Sequence, residues 1–597
     1  MAVLKPRWVF ATPDATIESA IESGQESGEE SGQAINQATA AAHIAQQCNL
    51  SLSVAKVLVR RGFGDVASAQ SFLHPGIADL HPTALLHGIA QALPRIQRAI
   101  ATAEKILLYG DYDVDGTSAI VILKTVFDLL GARSETFVPH RVLDGYGMKE
   151  DRIRAAAADG VGLIVSVDTG IRAAEVVLLA TQLGIDTIVT DHHLPDAEIP
   201  RAAAVLNPNQ PGCDYPNKNL CGAGVAFKLG QALLEASTLP DAKQRILVES
   251  LLKIAALATV ADIVPLVGEN RAIVKLGLAG LAEVRNPGLR ALLDVSGIEA
   301  GTAPTSRQVG FQIGPRINAA GRMSSASEVL DLFFTRDAAT ARRIAATLDE
   351  LNRERQQTEQ QMREQIFTTI EEEPAWNDRL GLVLFSEDWH IGIAGICAGR
   401  VAERQRKPTF VLTQQEKDGE LIVKGSGRSI PGFHLLDALE SMRHLFTQFG
   451  GHEQAAGVSL KRDRLPAFIE AFAAYAAAHL NDETRRPVVE VDEVVTVADV
   501  TSELYDEVQR MAPFGYGNQP PVFAILGGEA AAAPRIFSGK HIRLALRQHG
   551  RVLNVKGWNA PPEWLALQAG ARLDAAFQLE HDRYDGWSAI LKDLRPA

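Results

Sequence analysis

Cysteine is scarce in this chain of 597 residues: Cys48, Cys213, Cys221 and Cys397 are all there is, with no two in CxxC spacing. That count argues against a disulfide scaffold or a zinc ribbon, and reduced thiols in the cytoplasm are expected. Long apolar runs are missing as well. No uninterrupted stretch reaches the length of a membrane span, and MAVLKPRWVFATPDA lacks the apolar segment of an export signal. Positive charge is in deficit, with 59 Lys and Arg against 72 Asp and Glu and a net charge of −13. This argues against a surface coated in positive charge to hold nucleic acid indiscriminately. A local basic groove stays possible, because carboxylates gathered in one place depress the total.

What is present is an ordinary globular mixture, 46% hydrophobic and 22% charged, too long for one core and expected to fold as several domains. Residues 1–80 form an N-terminal helical region. Within it the Ser/Gly/Glu/Gln/Ala stretch 14–40 has too few large apolar residues to offset the entropy of ordering, and disorder is expected there. In residues 81–336 strands are expected at 105–110, 135–139, 161–168 and 185–190, separated by helices such as 117–130 and 171–183. This alternation predicts an α/β domain with a parallel sheet covered by helices on both faces. Residues 337–373 contain no Gly or Pro and carry dense charge, the pattern of a long connecting helix. A second α/β domain is expected over 379–478. Residues 486–597 are rich in short strands and turns and predict a small β-barrel or sandwich.

The chemistry concentrates at KILLYGDYDVDGTS (105–118). A short buried strand runs into Asp111, Asp113 and Asp115, and alternate residues of an extended chain point to one side. Three like charges converging on one volume are costly unless a cation neutralises them, and a hard divalent ion with oxygen ligands suits them. A solvated turn is the plainer reading of the stretch taken alone. Further acidic or His-bearing element ends strengthen the metal reading. VGLIVSVD ends at Asp168, TIVTDHH at Asp191, His192 and His193, and TVADIVPL supplies Asp262. In parallel sheets ligands bind outside the carboxyl ends of the strands. An Asp/His set with open positions suits Mn²⁺ or Mg²⁺, and more carboxylates than one ion needs suggests two ions.

DYDVDG, VDTG, DHH and VADIVPL stand in the order of the four motifs of the DHH phosphoesterase family, which this chain resembles. GPRINAAGRM (314–323), GSGRS (425–429) and GGHEQAAG (450–457) are similar to the extended pattern of that family's bacterial single-strand-specific 5′→3′ DNA exonucleases. The resemblance runs from about Phe72 to the C-terminus. It implies a DHH domain and a DHHA1-like domain joined by the long helix, followed by an OB-like barrel. By position it implies two Mn²⁺ or Mg²⁺ ions, with Asp113 and Asp111 on the first, Asp115, His192 and Asp262 on the second, and Asp168 bridging. His193 would face the scissile phosphate as donor or general acid. Two alternatives stay open: His193 orienting His192, and Asp111 holding Asp113 rather than an ion. The implied role is in DNA repair and recombination, as a cytoplasmic monomer acting on single-stranded DNA beside a single-strand-binding protein and a helicase.

Ser426 and Arg428 in GSGRS offer a hydroxyl and a guanidinium on backbone freed by glycine to approach an anion, as a terminal 5′-phosphate requires. Arg316, Asn318 and Arg322 add donors in GPRINAAGRM, and His452 follows two glycines. The plainer fate of each arginine is a salt bridge, and of His452 a packed turn. In the C-terminal region Arg535, Lys540, Arg543 and Lys556 lie among short strands with Phe537 and Trp558, the mixture of charge and rings that holds single strands. Trp558, Trp564 and Trp587 fit a core role equally well. Two other readings of the whole chain remain: a phosphodiesterase for very short oligonucleotides or cyclic dinucleotides, and an inactive nucleic-acid scaffold.

Overall fold

The computed structural model describes residues 5–10, 28–141, 144–373, 375–417 and 420–597. They form two compact units, one of residues 82–262 and 277–486, the other of residues 5–81, 263–276 and 487–597.

The described chain opens with strand β1 (Arg7–Phe10), followed by helices α1 (Gly28–Cys48), α2 (Leu52–Arg60) and α3 (Val66–Leu73). Residues 28–40, part of the stretch expected to be disordered, are helical. Ala and Gln are good helix formers, and the buried Ala41 and Ile44 at the far end of α1 give it an apolar anchor. Residues 14–27 lie outside the described residues.

The first unit begins with a five-stranded parallel sheet in the order β3-β2-β4-β5-β6. Its strands are β2 (Lys105–Tyr109), β3 (Ser134–Phe137), β4 (Val161–Val167), β5 (Asp186–Thr190) and β6 (Ala204–Leu206). β2 and β4 are apolar and buried almost throughout, as strands covered on two sides must be. Helices α4 (Val114–Leu129), α5 (Gly222–Glu235) and α6 (Asp241–Ala261) pack on one another beside the sheet. Past helix α7 (Gly314–Met323), the expected long helix is α8 (Ala338–Glu372). The Asp337 side chain caps it by accepting the Thr340 N–H at 2.7 Å. The first half of α8 packs on α7. Met362, Ile366 and Ile370, at helical spacing, enter the core of the second α/β domain.

That domain carries β7 (Leu382–Phe385), helix α9 (Ile391–Gln405), β8 (Thr409–Lys417), β9 (Glu420–Arg428), β10 (Gln448–Gly451) and β11 (Ala455–Lys461). The sheet order is β10-β11-β9-β8-β7, with only β7–β8 parallel.

The C-terminal strands are β12 (Val488–Val491), β13 (Glu493–Val494), β14 (Phe523–Ala530), β15 (Arg535–Phe537), β16 (His541–Gln548), β17 (Arg551–Gly557), β18 (Arg572–Asp582) and β19 (Gly586–Pro596). β14 pairs with both β18 and β16, so β14-β18-β19-β17-β16 closes into the expected OB-type barrel of five strands. The N-terminal region, expected as a domain of its own, shares the barrel's core. Ile44, Val54, Leu58 and Phe72 cluster with Val508, Phe523, Leu544 and Phe577. Polar ties follow the same seam: Ser51 Oγ donates to Glu507 at 2.5 Å, and Lys56 and Arg60 both pair with Glu493. β1 pairs in parallel with β12.

Candidate metal centre

Each acidic residue singled out in the sequence sits where an element ends. Asp111 follows β2, and Asp113 is the N-cap of α4, its Oδ1 accepting the N–H groups of Asp115 and Gly116 at 2.9 and 3.1 Å. Asp115 lies in the first turn of that helix. Its two oxygens accept the first amides of α5, Gly222 N–H at 2.6 Å and Ala223 N–H at 2.7 Å. Asp168 ends β4 in a left-handed backbone conformation, φ 58°, and donates its N–H to Thr190 O at 2.9 Å. That conformation is strained for a residue with a side chain, a cost met mostly at functional positions. Asp262 caps the C-terminus of α6.

These residues converge. His192 Nε2 lies 3.3 Å from Asp168 Oδ1 and 3.8 Å from both Asp115 Oδ2 and Asp262 Oδ2. Among the described residues three groups have ligand atoms within 4.8 Å of one another: Asp111, Asp113 and Asp168; Asp115, His192 and Asp262; and Asp168, His192 and His193. Asp168 thus stands in a group with Asp111 and Asp113 and within reach of His192 in the other.

The donor set fits hard divalent cations. Asp111 Oδ1 and Asp168 Oδ1 are buried with no hydrogen-bond partner among the described residues, a costly state for carboxylate oxygens unless a cation takes them. Burial, and then the neighbouring carboxylates, push the pKa values of Asp111, Asp168 and Asp262 well above the usual carboxylate range. Burial also lowers the pKa of His192, leaving the neutral imidazole that a metal ligand must be.

His193 is built differently. Its Nδ1 lies 2.7 Å from Asp191 Oδ1, and Asp191 is itself buried and accepts the amides of Ile171, His192 and His193 at 2.9, 2.7 and 3.2 Å. Burial alone would raise Asp191, but the bond and charge of His193 hold it below the usual range. The imidazole of His193, penalised by burial, is raised instead by its bond to Asp191. Asp191 was legible only as a letter of the DHH motif, not as the residue that holds His193.

Opposite charge gathers in the same unit. Arg322 donates to Gly392 O at 2.7 Å and Arg428 to Gly427 O at 2.8 Å. Neither makes an ion pair among the described residues, nor does Arg141, whose guanidinium lies 4.8 Å over the Tyr112 ring. Burial, with Arg141, Arg355 and Arg428 nearby, pushes Arg322 down to about 9, and burial with Arg141 lowers Arg428. Three unpaired guanidiniums repelling one another invite an anion. Ser426 stands with Arg428 against the first turns of α9. A Cβ on Gly395 would lie 3.0 Å from Arg428 Nη2 and 3.4 Å from Ser426 Oγ. His452 sits in an exposed turn, not the packed one of the plainer reading, its Nδ1 accepting Gln454 N–H at 3.2 Å; partial burial of the ring, and then the charge of Arg428 and His193, lower its pKa.

Arg316 is engaged elsewhere, and Asn318 is held by its oxygen. Arg316 pairs with Asp349 at 2.8 Å, the plainer fate of an arginine, and Asn318 Oδ1 accepts Val114 N–H at 3.1 Å. α7 therefore braces the acidic loop; of its three expected phosphate donors Arg316 is engaged by Asp349, whereas the bond to Val114 uses only the oxygen of Asn318 and leaves its Nδ2 amide, like Arg322, able to donate. In the barrel Arg535, Lys540 and Arg543 are exposed. Trp558 is 50% exposed beside Phe537 and His541, whereas Trp564 is core. Lys556 is buried and paired with Asp582 and Asp585, so it is no surface contact. Sequence reasoning did not single out Arg141 or Tyr146, which share an irregular loop without periodic signal.

Fold and site together define the DHH class. The chain matches the family models for the DHH family N-terminal domain over residues 105–259, the DHHA1 domain over 379–478 and the RecJ OB domain over 491–591. It is 36% identical to the single-stranded-DNA-specific exonuclease RecJ of Bacillus subtilis, over 91% of this chain and 67% of that one. Identity to the enzyme of the same name from Escherichia coli is 34%, over 83% and 87% of the two chains. Thermus thermophilus RecJ in complex with Mn²⁺ superposes with a TM-score of 0.79 at 28% identity, covering 94% of this chain and 78% of that one. The chain belongs to the RecJ family.

Proposed function

We propose that this protein is a metal-dependent exonuclease that degrades single-stranded DNA from the 5′ end and releases 5′-mononucleotides. The observation that carries the reading is the presence, within one unit, of an acidic cluster with orphaned buried oxygens and of three guanidiniums without carboxylate partners among the described residues. Membership of the RecJ family supports the substrate class, and the Mn²⁺ and Mg²⁺ complexes of Thermus thermophilus RecJ support these ions as cofactors.

Asp111, Asp113 and Asp168 would hold one ion and Asp115, His192 and Asp262 the other, with Asp168 shared. When bound, the pair would neutralise the carboxylates, lower the pKa of the attacking water and offset charge developing at phosphorus. His193, occupied at Nδ1 by Asp191, has Nε2 left for the phosphate or the leaving oxygen. Ser426, Arg428, Arg322 and Arg141 would hold a terminal 5′-phosphate. Water then adds at the phosphorus of the next nucleotide, and the bond to the 3′-oxygen of the first breaks. A 5′-mononucleotide leaves, and the shortened strand again carries a 5′-phosphate, so one pocket sets both direction and repetition. Arg535, Lys540 and Arg543 would add a sequence-independent grip on longer strands.

The reading extends to a helicase and a single-strand-binding protein as partners, because an enzyme confined to single strands depends on proteins that open and hold them. A monomer in the cytoplasm is proposed, where four free, buried cysteines stay reduced. No helix among the described residues is long and apolar enough to cross a membrane.

The test is a degradation time course on single-stranded DNA labelled at either end, with Mn²⁺ or with chelator. Mononucleotides released from the 5′ end only when Mn²⁺ is present are expected. Activity confined to dinucleotides, attack from the 3′ end or no hydrolysis would overturn the reading.

A further inference from the structure

We infer that Tyr146 is a positioning residue of this site, holding the His193 imidazole through Nδ1. The inference rests on the nuclease reading above. Tyr146 Oη lies 3.2 Å from His193 Nδ1 and 3.3 Å from the backbone oxygen of Asp168, while Asp191 Oδ1 lies 2.7 Å from the same Nδ1. The proton assignment follows from which atoms can donate. The Asp168 carbonyl and the Asp191 carboxylate only accept. The phenol therefore donates to Asp168 O, and the Nδ1–H is shared between Asp191 and the phenol oxygen. Nε2 is the one ring nitrogen left for substrate.

Tyr146 is oriented against habit. A surface tyrosine ordinarily buries its ring and wets its hydroxyl. Here the residue is 47% exposed while the hydroxyl turns inward to two atoms of the site. Its ring meets the imidazole edge-on at 5.6 Å. The chain is shaped for this presentation: Gly145 and Gly147 on either side have φ of 71° and 90°, which a side chain would strain. The Tyr146 carbonyl accepts from Lys149 Nζ at 2.8 Å, fixing the loop from its far side. An exposed ring adds little to stability, so what the geometry leaves for Tyr146 is the orientation of His193.

A double-mutant cycle tests this, using the full chain with Mn²⁺ and 5′-phosphorylated single-stranded DNA. The proteins are wild type, Tyr146→Phe, His193→Gln and the double variant. Tyr146→Phe should lower kcat by about 10-fold or more, the usual cost of losing a residue that orients another, with KM within about twofold. In the His193→Gln background the same change should cost less than about twofold. Melting temperature and the affinity for MnCl₂ alone, measured by calorimetry, should stay near wild type. A wild-type rate in Tyr146→Phe, an equal loss in both backgrounds, or a loss that tracks a fall in melting temperature or Mn²⁺ affinity overturns the assignment. Wild type that leaves the strand intact overturns the nuclease reading and this inference together; wild type that cuts, with an additive cycle, overturns this inference alone.

Discussion

Gly222 leaves the space that Asp168 fills: a Cβ on Gly222 would lie 2.6 Å from both the Cβ and the Oδ1 of Asp168. The amides of Gly222 and Ala223 meanwhile hold both oxygens of Asp115. One turn of helix thus places two carboxylates, one at the end of β4 and one in the first turn of α4.

Gly222→Ala should therefore injure metal binding more than folding. The added methyl overpacks a buried contact, at a cost of roughly 1–3 kcal/mol, and the movable neighbour is the Asp168 side chain. Calorimetry with MnCl₂ should show affinity reduced by about 10-fold or more. Wild-type affinity in this variant would show that Asp168 has room to spare.

Asp168→Asn should abolish hydrolysis and stabilise the metal-free protein. Burial and neighbouring carboxylates raise the folded-state pKa of Asp168 above its unfolded value. The folded state then binds more protons than the unfolded one, so this residue's contribution favours folding at low pH and is lost as pH rises from about 4. Melting curves in chelator should place the variant above wild type, with a gap that widens from about pH 4 towards 8. Mn²⁺ should raise wild type and close the gap. Coincident melting across that range would mean the carboxylate is not under repulsion.

Arg428→Ala should remove the preference for 5′-phosphorylated over 5′-hydroxyl strands while leaving Mn²⁺ affinity unchanged. A charge-assisted hydrogen bond of this kind is worth roughly 1.5–3 kcal/mol. Comparing cleavage of the two 5′ ends by both proteins measures it, and an unchanged preference would place the phosphate elsewhere.

Two barrel cations should part company. Arg543→Ala should weaken binding of long single strands and reduce the slope of log affinity against log salt by about 1. Lys556→Ala should lower the melting temperature with little change in that slope, because its ammonium serves Asp582 and Asp585. Equal effects of the two substitutions on the salt slope would contradict the burial of Lys556.

Much of the centre was legible because each ligand candidate ends an apolar element, and parallel topology forces such ends onto one rim. Asp111, Asp168, His192 and Asp262 were singled out that way, and the structure brings them together. Roles set by a distant partner were not legible. Arg316 looks like a phosphate donor until Asp349 claims it, and nothing local shows that the oxygen of Asn318 takes Val114 N–H, 204 residues away in sequence. Lys556 reads as one more base in a basic stretch, since nothing local reveals Asp582. β6 is three residues long, too short for a periodic signal. The helix over 28–40 was hidden by composition: its polar residues resemble a linker, and what anchors it is apolar contact further along the chain.

The core shared by α2, α3 and the barrel also fixes an order of events during synthesis. Ser51 and its partner Glu507 are 456 residues apart, so at ribosomal speed the helices wait roughly 20–90 s for the strands they pack against. Until β14 is made, Val54, Leu58 and Phe72 have no permanent cover. Helices α2 and α3 are therefore a segment of the nascent chain that a chaperone would have to cover until those strands are made.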